Sequence, residues 1–248
     1  MSTIYILWLR QLKRYLRSRS RIIGSLGQPL LFLFALGFGF GPIFQRAGQG
    51  SYIQFLVPGI IAMSILFTSI FSGIEIIWDR QFGFLKETLV APVSRFEIML
   101  GRTLGGATVA ILQGIIVFII SLLAGFRAAN LSGLFFALII MILTATLFTA
   151  LGTAIASVLD DIHGFQMIMN FLIMPLFFLS GALFPLKGLP PVLSLITTLD
   201  PLTFGVDGLR GALVGTSHFG LSLNLLILTI MTVILLGIGS YLFSKIQI

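Results

Sequence analysis

The chain has 248 residues, of which 57% are hydrophobic and 9% are charged, whereas a soluble domain carries about 25% charged residues, so a soluble fold is excluded. The net charge is +7, but the cations lie at the ends of apolar runs and in the loops between them, so no nucleic-acid partner is expected. There is no cysteine, which excludes disulfides, thiolate metal sites and cysteine catalysis.

The first segment, residues 1–21, is basic and predicts an amphipathic helix in the membrane interface. Read as a helix, it places five apolar side chains on one face: Ile4, Leu7, Trp8, Leu12 and Tyr15. Six cations cover the rest: Arg10, Lys13, Arg14, Arg17, Arg19 and Arg21. Trp8 and Tyr15 would lie at headgroup depth. The alternative is a cationic anchor with no further role.

Six long apolar runs follow, and each can form one membrane-spanning helix, which needs about 20 apolar residues. The predicted spans of this single transmembrane domain are residues 22–43, 55–77, 103–125, 134–158, 164–184 and 221–243. The fold class is therefore an all-α polytopic membrane protein. Four of the 15 basic residues fall in outer segments: Arg46, Arg127, Lys187 and Arg210. This bias places both termini in the cytoplasm, across the inner or plasma membrane.

Residues 185–220, between the last two spans, are too apolar for a free loop and too rich in proline and glycine to cross the membrane. Pro190 and Pro191 can open a short helix, and Pro201 disfavours helix at Asp200, where that helix ends. A second short helix is predicted over residues 202–213. Non-helical backbone at membrane depth must be buried in protein, so we expect a re-entrant helix pair that forms a lid on the outer face. An ordinary surface loop is the alternative.

The chain carries no evident chemistry of its own. Ion-coupled carriers place ionisable groups inside the membrane, and the nearest here is Glu75, expected beside Arg80 as an interfacial residue, a gate or a loop anchor. No catalytic constellation, metal cluster or GxxxxGK[ST] pattern is present. Asp160 and Asp161 beside His163 suit a helix N-cap better than a metal site. We therefore expect no catalytic, cofactor or metal site, and a partner that supplies the energy.

The polar loop at residues 78–102 is the segment most suited to binding that partner. A short helix over about residues 83–90 would place Phe82, Leu85 and Leu89 on one side, and Pro92 would end it. Ser94 and Glu97 then form a capping box for the next helix. Such a helix suits a groove on a soluble partner. The alternative is an amphipathic loop that lies on lipid.

Three stretches carry a resemblance to a known family. The loop WDRQFGFLKETLVAPVSRFEIMLGR (78–102) resembles the first cytoplasmic loop of the type-2 ABC exporter permeases, which include the daunorubicin-resistance permease. NFLIMPLFFLSGALFPLKGLPP (170–191) and LDPLTFGVDGLRGAL (199–213) are similar too. With the six spans and the basic first helix, the resemblance covers nearly the whole chain.

The resemblance implies a permease subunit, not itself an enzyme, that exports cargo with ATP hydrolysed by a separate soluble ABC ATPase. Two ATPase copies, which carry the ATP and Mg, would serve two permeases; a homodimer is expected, and a related second permease fits as well. The ATPase would bind a coupling helix, which maps here to Gly83, Phe84, Leu85, Lys86, Glu87, Thr88, Leu89, Val90, Ala91, Pro92 and Val93. The translocation path would take residues from spans two and five: Phe67, Phe71, Ile74, Met167, Asn170, Phe171 and Met174.

The cargo class follows from composition. A chain with 24 phenylalanines and almost no intramembrane charge suits a lipophilic or lipid-linked cargo such as a drug, lipid or glycan. The alternative function is a membrane scaffold or assembly protein that docks a soluble partner and moves no cargo. An intramembrane enzyme is disfavoured because no catalytic constellation is evident.

Overall fold

The computed structural model describes residues 3–46, 50–90 and 92–246. Every regular element in these ranges is an α-helix. In chain order they are α1 (Thr3–Arg17), α2 (Arg19–Arg46), α3 (Tyr52–Phe71), α4 (Ile74–Gln81), α5 (Phe84–Val90), α6 (Arg95–Leu123), α7 (Leu131–Val158), α8 (Ile162–Leu179), α9 (Pro191–Leu199), α10 (Pro201–Val214) and α11 (Leu221–Ser244).

Within these described ranges, six helices are long and apolar enough to cross a membrane: α2, α3 continued by α4, α6, α7, α8 and α11. The prediction of an all-α, six-span membrane protein is thus confirmed. The residues at which each span enters and leaves the membrane stay predictions.

The α3–α4 span is the centre of the bundle. In its most apolar window 72% of the residues are buried, against 22% for α8 and 17% for α2 and α11. α3 packs against α2, α6, α7 and α10. Small residues permit close approach: a Cβ built on Gly152 of α7 would lie 2.9 Å from the Ile70 Cα of α3. The peripheral helices leave much of their apolar surface free for lipid or for another chain.

Helix α1 lies along α6. Its Leu7 and Tyr15 are buried, and Trp8 Nε1 donates to Thr108 Oγ1 at 2.9 Å. α6 offers glycine at the contact: a Cβ on Gly105 would lie 2.6 Å from Gln11 Cβ. The apolar face predicted for α1 therefore covers α6, and the position of α1 in the membrane interface stays a prediction.

The predicted pair of short helices is present between α8 and α11. Pro191 is the first residue of α9, and the Asp200 side chain caps α10 by accepting from Leu202 N at 2.8 Å. The two helices meet at 87°. α10 is almost wholly buried against α3, α7 and α11, whereas most of α9 is exposed. Gly215, with φ of 82°, ends α10 in the left-handed conformation.

Candidate functional site

Helix α5 connects α4 to the start of α6 and carries several exposed side chains; we call its end of the bundle the α5 end. Gly83 adopts φ of 81° between α4 and α5, a conformation that glycine accepts without strain. Leu85 is only 1% exposed and holds the helix against the bundle, whereas Phe82 is 77% and Val90 80% exposed. Apolar side chains this exposed on a short helix and beside it suit insertion into a partner's groove.

Helix α5 lies where the sequence predicts it, but Phe82 does not share the apolar side that was predicted for it. Leu85 and Leu89 pack inward, while Phe82 points away. Phe82 precedes the turn at Gly83, so the helical period does not extend back to it. Among the predicted partner-binding residues, Phe84, Lys86, Glu87 and Pro92 are exposed, and Gly83, Thr88 and Val93 are half-buried. Ala91 lies outside the described residues.

Asp79, one turn before α5, ties the segment to two other helices. Arg102 of α6 donates to it at 2.6 Å, and Arg10 of α1 at 3.2 Å. The side chains of Asp79 and Arg102 are 7% and 4% exposed. A buried pair of this kind is weak evidence for overall stability, but breaking it leaves an uncompensated charge. These contacts of Asp79 with Arg102 and Arg10, which we call the Asp79 clamp, therefore fix α4, and with it α5, relative to the bundle.

Glu75 makes a second such link, on the same helix as Asp79. Arg21 of α2 lies 2.7 Å from it and Arg14 of α1 lies 3.6 Å away. The expected position of Glu75 beside Arg80 is wrong, because the basic N-terminal segment reaches it first. Four arginines from α1, α2 and α6 thus share two carboxylates of α4.

Arg80 instead holds the turn between α7 and α8. It forms an ion pair with Asp160 and donates to the carbonyls of Ser157 at 3.1 Å and Leu159 at 3.2 Å. Asp161 in that turn is an N-cap, as predicted: the Gly164 amide donates to it and holds the pKa of that carboxyl below its usual value.

The far end of the loop is anchored as well. Ser94 accepts from Glu97 N at 3.2 Å, so the predicted N-cap of α6 is present. Arg95 donates to the carbonyls of Ser244 at 2.6 Å and Ile246 at 2.7 Å, at the end of α11. α1 touches the loop directly, because the Arg10 guanidinium lies 5.3 Å from the Phe84 ring centre. The loop is therefore fixed to α1, α6, the α7–α8 turn and the end of α11, so a force on α5 reaches all of them.

The predicted path residues of span two lie together but not all on an open surface. Phe67 and Phe71 stack, and Phe71 meets Phe165 of α8 edge-on. Phe67 and Phe71 also line a cavity of about 370 Å³ against α2. Ile74 is buried where α3 meets α4.

The predicted path residues of span five lie on one outward face of α8. Met167 is 74% and Phe171 84% exposed, and Asn170 and Met174 are exposed beside them. The opposite face of α8 carries the buried residues Phe165, Met169, Ile173 and Phe177. Phe171 also borders an apolar groove of about 310 Å³ between α8 and α9. The described chain leaves this face of α8 open.

The burial of two charges in α10, Asp207 and Arg210, was not predicted from the sequence, which assigned this segment to an outer lid and counted Arg210 among the outer cations. Asp207 accepts hydrogen bonds from Ser217 Oγ, Asn224 Nδ2 and the amides of His218 and Phe219, at 2.6 to 3.0 Å. Arg210 donates to the Gly181 carbonyl at 3.0 Å and stacks over the Phe55 ring at 4.1 Å. Both side chains bond to backbone groups that lie outside the helices, so we assign Asp207 and Arg210 a structural role. Their three-residue spacing on an apolar helix could have indicated burial.

No group of three or more His, Asp or Glu side chains suited to a metal ion occurs among the described residues. What the geometry defines is a multi-pass membrane protein with a short surface helix at one end of the bundle, flanked by segments that are bonded to other helices.

The comparisons with known proteins agree with this description. A family profile described as ABC-2 type transporter matches residues 2–214. The chain is 33% identical over 201 residues to the putative transport permease ycf38 of Pyropia yezoensis, covering 78% of this chain and 68% of that protein. It is 31% identical over 209 residues to nodulation protein J of Rhizobium meliloti (strain 1021), covering 83% and 79%. The ycf38 permease of Cyanophora paradoxa is 30% identical over 217 residues, covering 84% and 72%.

The chain belongs to the ABC-2 type transporter family. It is a membrane permease of that family, which confirms the resemblance drawn from the loop and the outer segment.

Proposed function

We propose that this chain is the permease subunit of an ATP-driven exporter and that a separate soluble ABC ATPase docks on α5. The observation that carries the proposal is the clamped geometry of α5, which exposes Phe82, Phe84 and Val90 while Leu85 anchors it. Family membership supports an ATPase partner. ATP and Mg would be held by that partner, and this chain would contribute no catalytic, cofactor or metal residue.

The anchored loop gives the docking surface a mechanical role. Asp79, Arg80 and Arg95 connect α4–α6 to α1, the α7–α8 turn and the end of α11. When two ATPase subunits close on ATP, each α5 would move with its subunit as a rigid lever. The bundle would then shift between two arrangements, as in other domain-closure transitions. The exposed charges Lys86 and Glu87 would fix the register of docking.

The assembly we propose contains two permeases and two ATPases. The outward face of α8, with Met167, Asn170, Phe171 and Met174, would face the second permease copy across the path. A homodimer needs no further chain, and a related second permease would use the same face. Phe67 and Phe71 would line the path from the other side, while the buried Ile74 would support it from behind.

The cargo we propose is lipophilic or lipid-linked, such as a drug, lipid or glycan. The α8–α9 groove of about 310 Å³ is lined chiefly by apolar side chains, among them Phe171, Leu176 and Leu199. Burial of apolar surface can bind such a cargo without any fixed charge.

We further propose that the α5 end faces the cytoplasm from the inner or plasma membrane, with both termini on that side. The cationic residues of α1 and the α4–α6 loop are at this end, as the positive-inside rule requires. Residues 46, 127, 187 and 210 would then be on the outer side.

The competing function is a scaffold that docks a soluble partner and transports nothing. The experiment that separates the two is extraction of the tagged chain from its native membrane in mild detergent, followed by an assay of ATP hydrolysis in the eluate. We expect a soluble ATPase to co-elute near one to one, with turnover that rises when a lipophilic cargo is supplied. Elution without any nucleotide hydrolase would contradict the exporter and favour the scaffold.

A further inference from the structure

A concave groove of about 980 Å³ lies between α1 and the start of α2. One wall of the groove is the face of α1 opposite the face that packs on α6. Five cations line it: Arg10, Lys13, Arg14, Arg17 and Arg19. The hydroxyls of Ser18 and Ser20 lie at the corner between the two helices. The function proposed above uses none of these hydroxyls and neither Lys13, Arg17 nor Arg19.

The groove keeps a surplus of positive charge. Arg10 and Arg14 face Asp79 and Glu75, but those carboxylates are shared with Arg102 and Arg21. Within the described residues, no carboxylate is in ion-pair distance of Lys13, Arg17 or Arg19, and all three are exposed. The described chain therefore does not supply the negative charge that would complement these three cations. Several cations around one concavity suit the binding of a phosphate group.

Apolar side chains lie beside the cations of the groove, and they favour a phosphate that belongs to a lipid over a free phosphate ion. Ile6 and Leu9 line its wall. Leu16, next to Arg17 in the sequence, and Ile23, one turn after Arg19 on α2, are exposed. α2 is one of the helices long and apolar enough to span a membrane. A cationic cavity beside the start of a membrane span, with apolar side chains next to it, matches a molecule that has an anionic head and acyl chains.

We propose that the α1–α2 groove binds the phosphate headgroup of an anionic membrane lipid. Lys13, Arg17 and Arg19 contact the phosphate, and the acyl chains lie along Ile6, Leu16 and Ile23. Lipid binding requires neither cargo nor ATPase, so it is tested on the permease alone.

The two tryptophans of the chain supply the fluorescence signal for the test. Trp8 is on α1, and Trp78 lies under Arg14, whose guanidinium is 5.6 Å from its ring. The purified chain is placed in phosphatidylcholine vesicles that contain an increasing fraction of brominated phosphatidylglycerol, and quenching is compared with that by brominated phosphatidylcholine. We expect phosphatidylglycerol to quench at lower mole fractions.

The variant Lys13→Gln/Arg17→Gln/Arg19→Gln should lose this preference, by roughly fivefold in relative association constant for each charge removed. Arg46→Gln/Arg127→Gln/Lys187→Gln is the matched control, because it removes three exposed cations elsewhere, and it should keep the preference. The charge-conserving variant Lys13→Arg/Arg17→Lys/Arg19→Lys should keep it too, which excludes misfolding of α1 as the cause of a loss.

Four results would overturn the proposal. One is equal quenching by the two lipids in the unmodified chain, and another is equal loss in the groove variant and the control. A third is loss of the preference on adding inorganic phosphate at millimolar concentration, which would indicate a site for free phosphate. The fourth is a groove variant that keeps the lipid preference but no longer captures an ATPase, which would assign the groove to the protein partner.

Discussion

Arg102 of α6 donates to Asp79 of α4 across 2.6 Å, and both side chains are almost completely shielded from solvent. The contact joins the start of one membrane helix to the end of another, on either side of the α5 loop. Arg10 of α1 shares the carboxylate, so one aspartate holds three helices. Asp79 therefore positions α4, from which α5 continues, while Leu85 holds α5 itself against the bundle.

The first prediction concerns that carboxylate. Asp79→Ala leaves Arg102 buried without a counter-charge, which should cost about 3 to 5 kcal/mol of stability. The control is Asp160→Ala: Asp160 also pairs with an arginine, but its side chain is 86% exposed, so the loss should be below about 1 kcal/mol. Unfolding of both variants in detergent, followed by circular dichroism, checks this. Equal losses would mean that burial of the Asp79 pair has no energetic consequence.

The second prediction tests how α1 is held. Gly105→Ala places a methyl group 2.6 Å from Gln11 Cβ, so α1 must shift away from α6. Trp8 should then lose its hydrogen bond to Thr108, and the tryptophan emission should change. In Gly27→Ala the new methyl meets no atom within 4 Å, so the emission should stay as it is and the helix should gain about 1 kcal/mol. An unchanged spectrum for both variants would contradict the close α1–α6 contact.

The sequence predicted the helices and their ends where the signal is local. The Ser94–Glu97 cap, the proline that opens α9 and the break at Asp200–Pro201 each depend on residues within one helical turn. The partners of Glu75 could not be predicted in this way, because Arg14 and Arg21 come from separate helices that meet only in the fold. A buried carboxylate needs a cation nearby, but the sequence offered several cations for Glu75 and did not indicate which of them the fold would bring to it.

The short helix α5 was likewise predicted in position but not in detail, and its partner-binding role stays a prediction. The position of α5 follows from Gly83, Pro92 and the charges between them. Which side faces out depends on the left-handed turn at Gly83, which rotates Phe82 away from the face that Leu85 and Leu89 occupy. Leu85 is buried, so within the proposed docking surface its part is to hold the helix in place.

The third prediction concerns the second permease copy. Because the chain has no cysteine, single-cysteine variants report on one position only. Phe171→Cys, on the exposed face of α8, should cross-link to a second chain in native membranes for the majority of molecules. Ile230→Cys, which is half-exposed on α11, should do so only at background level. Gel electrophoresis of the oxidised membranes gives the answer, and equal dimer fractions for the two positions would contradict α8 as the face between copies.

The fourth prediction concerns the buried carboxylate of α10. Asp207→Ala removes the acceptor for the amides of His218 and Phe219, and hydrogen bonds to a charged group contribute about 1.5 to 3 kcal/mol each. Amide exchange at these two positions should therefore accelerate at least about tenfold, as measured by hydrogen–deuterium exchange. Ser217→Ala removes only one of the donors and should have a smaller effect. Unchanged exchange in Asp207→Ala would show that the loop is ordered by other contacts.

The docking role of α5 is the central claim, and one measurement tests it most directly. Phe82→Asp/Val90→Asp alters two side chains that are among the most exposed near α5 and leaves Leu85 and the Asp79 clamp intact. Phe96→Asp is the matched control, since Phe96 is also exposed but belongs to the first turn of α6. The amount of ATPase captured with each variant, relative to the unmodified chain, should fall at least tenfold for the double variant and stay within twofold for the control. Full capture by the double variant would contradict the assignment of α5 as the ATPase-binding helix.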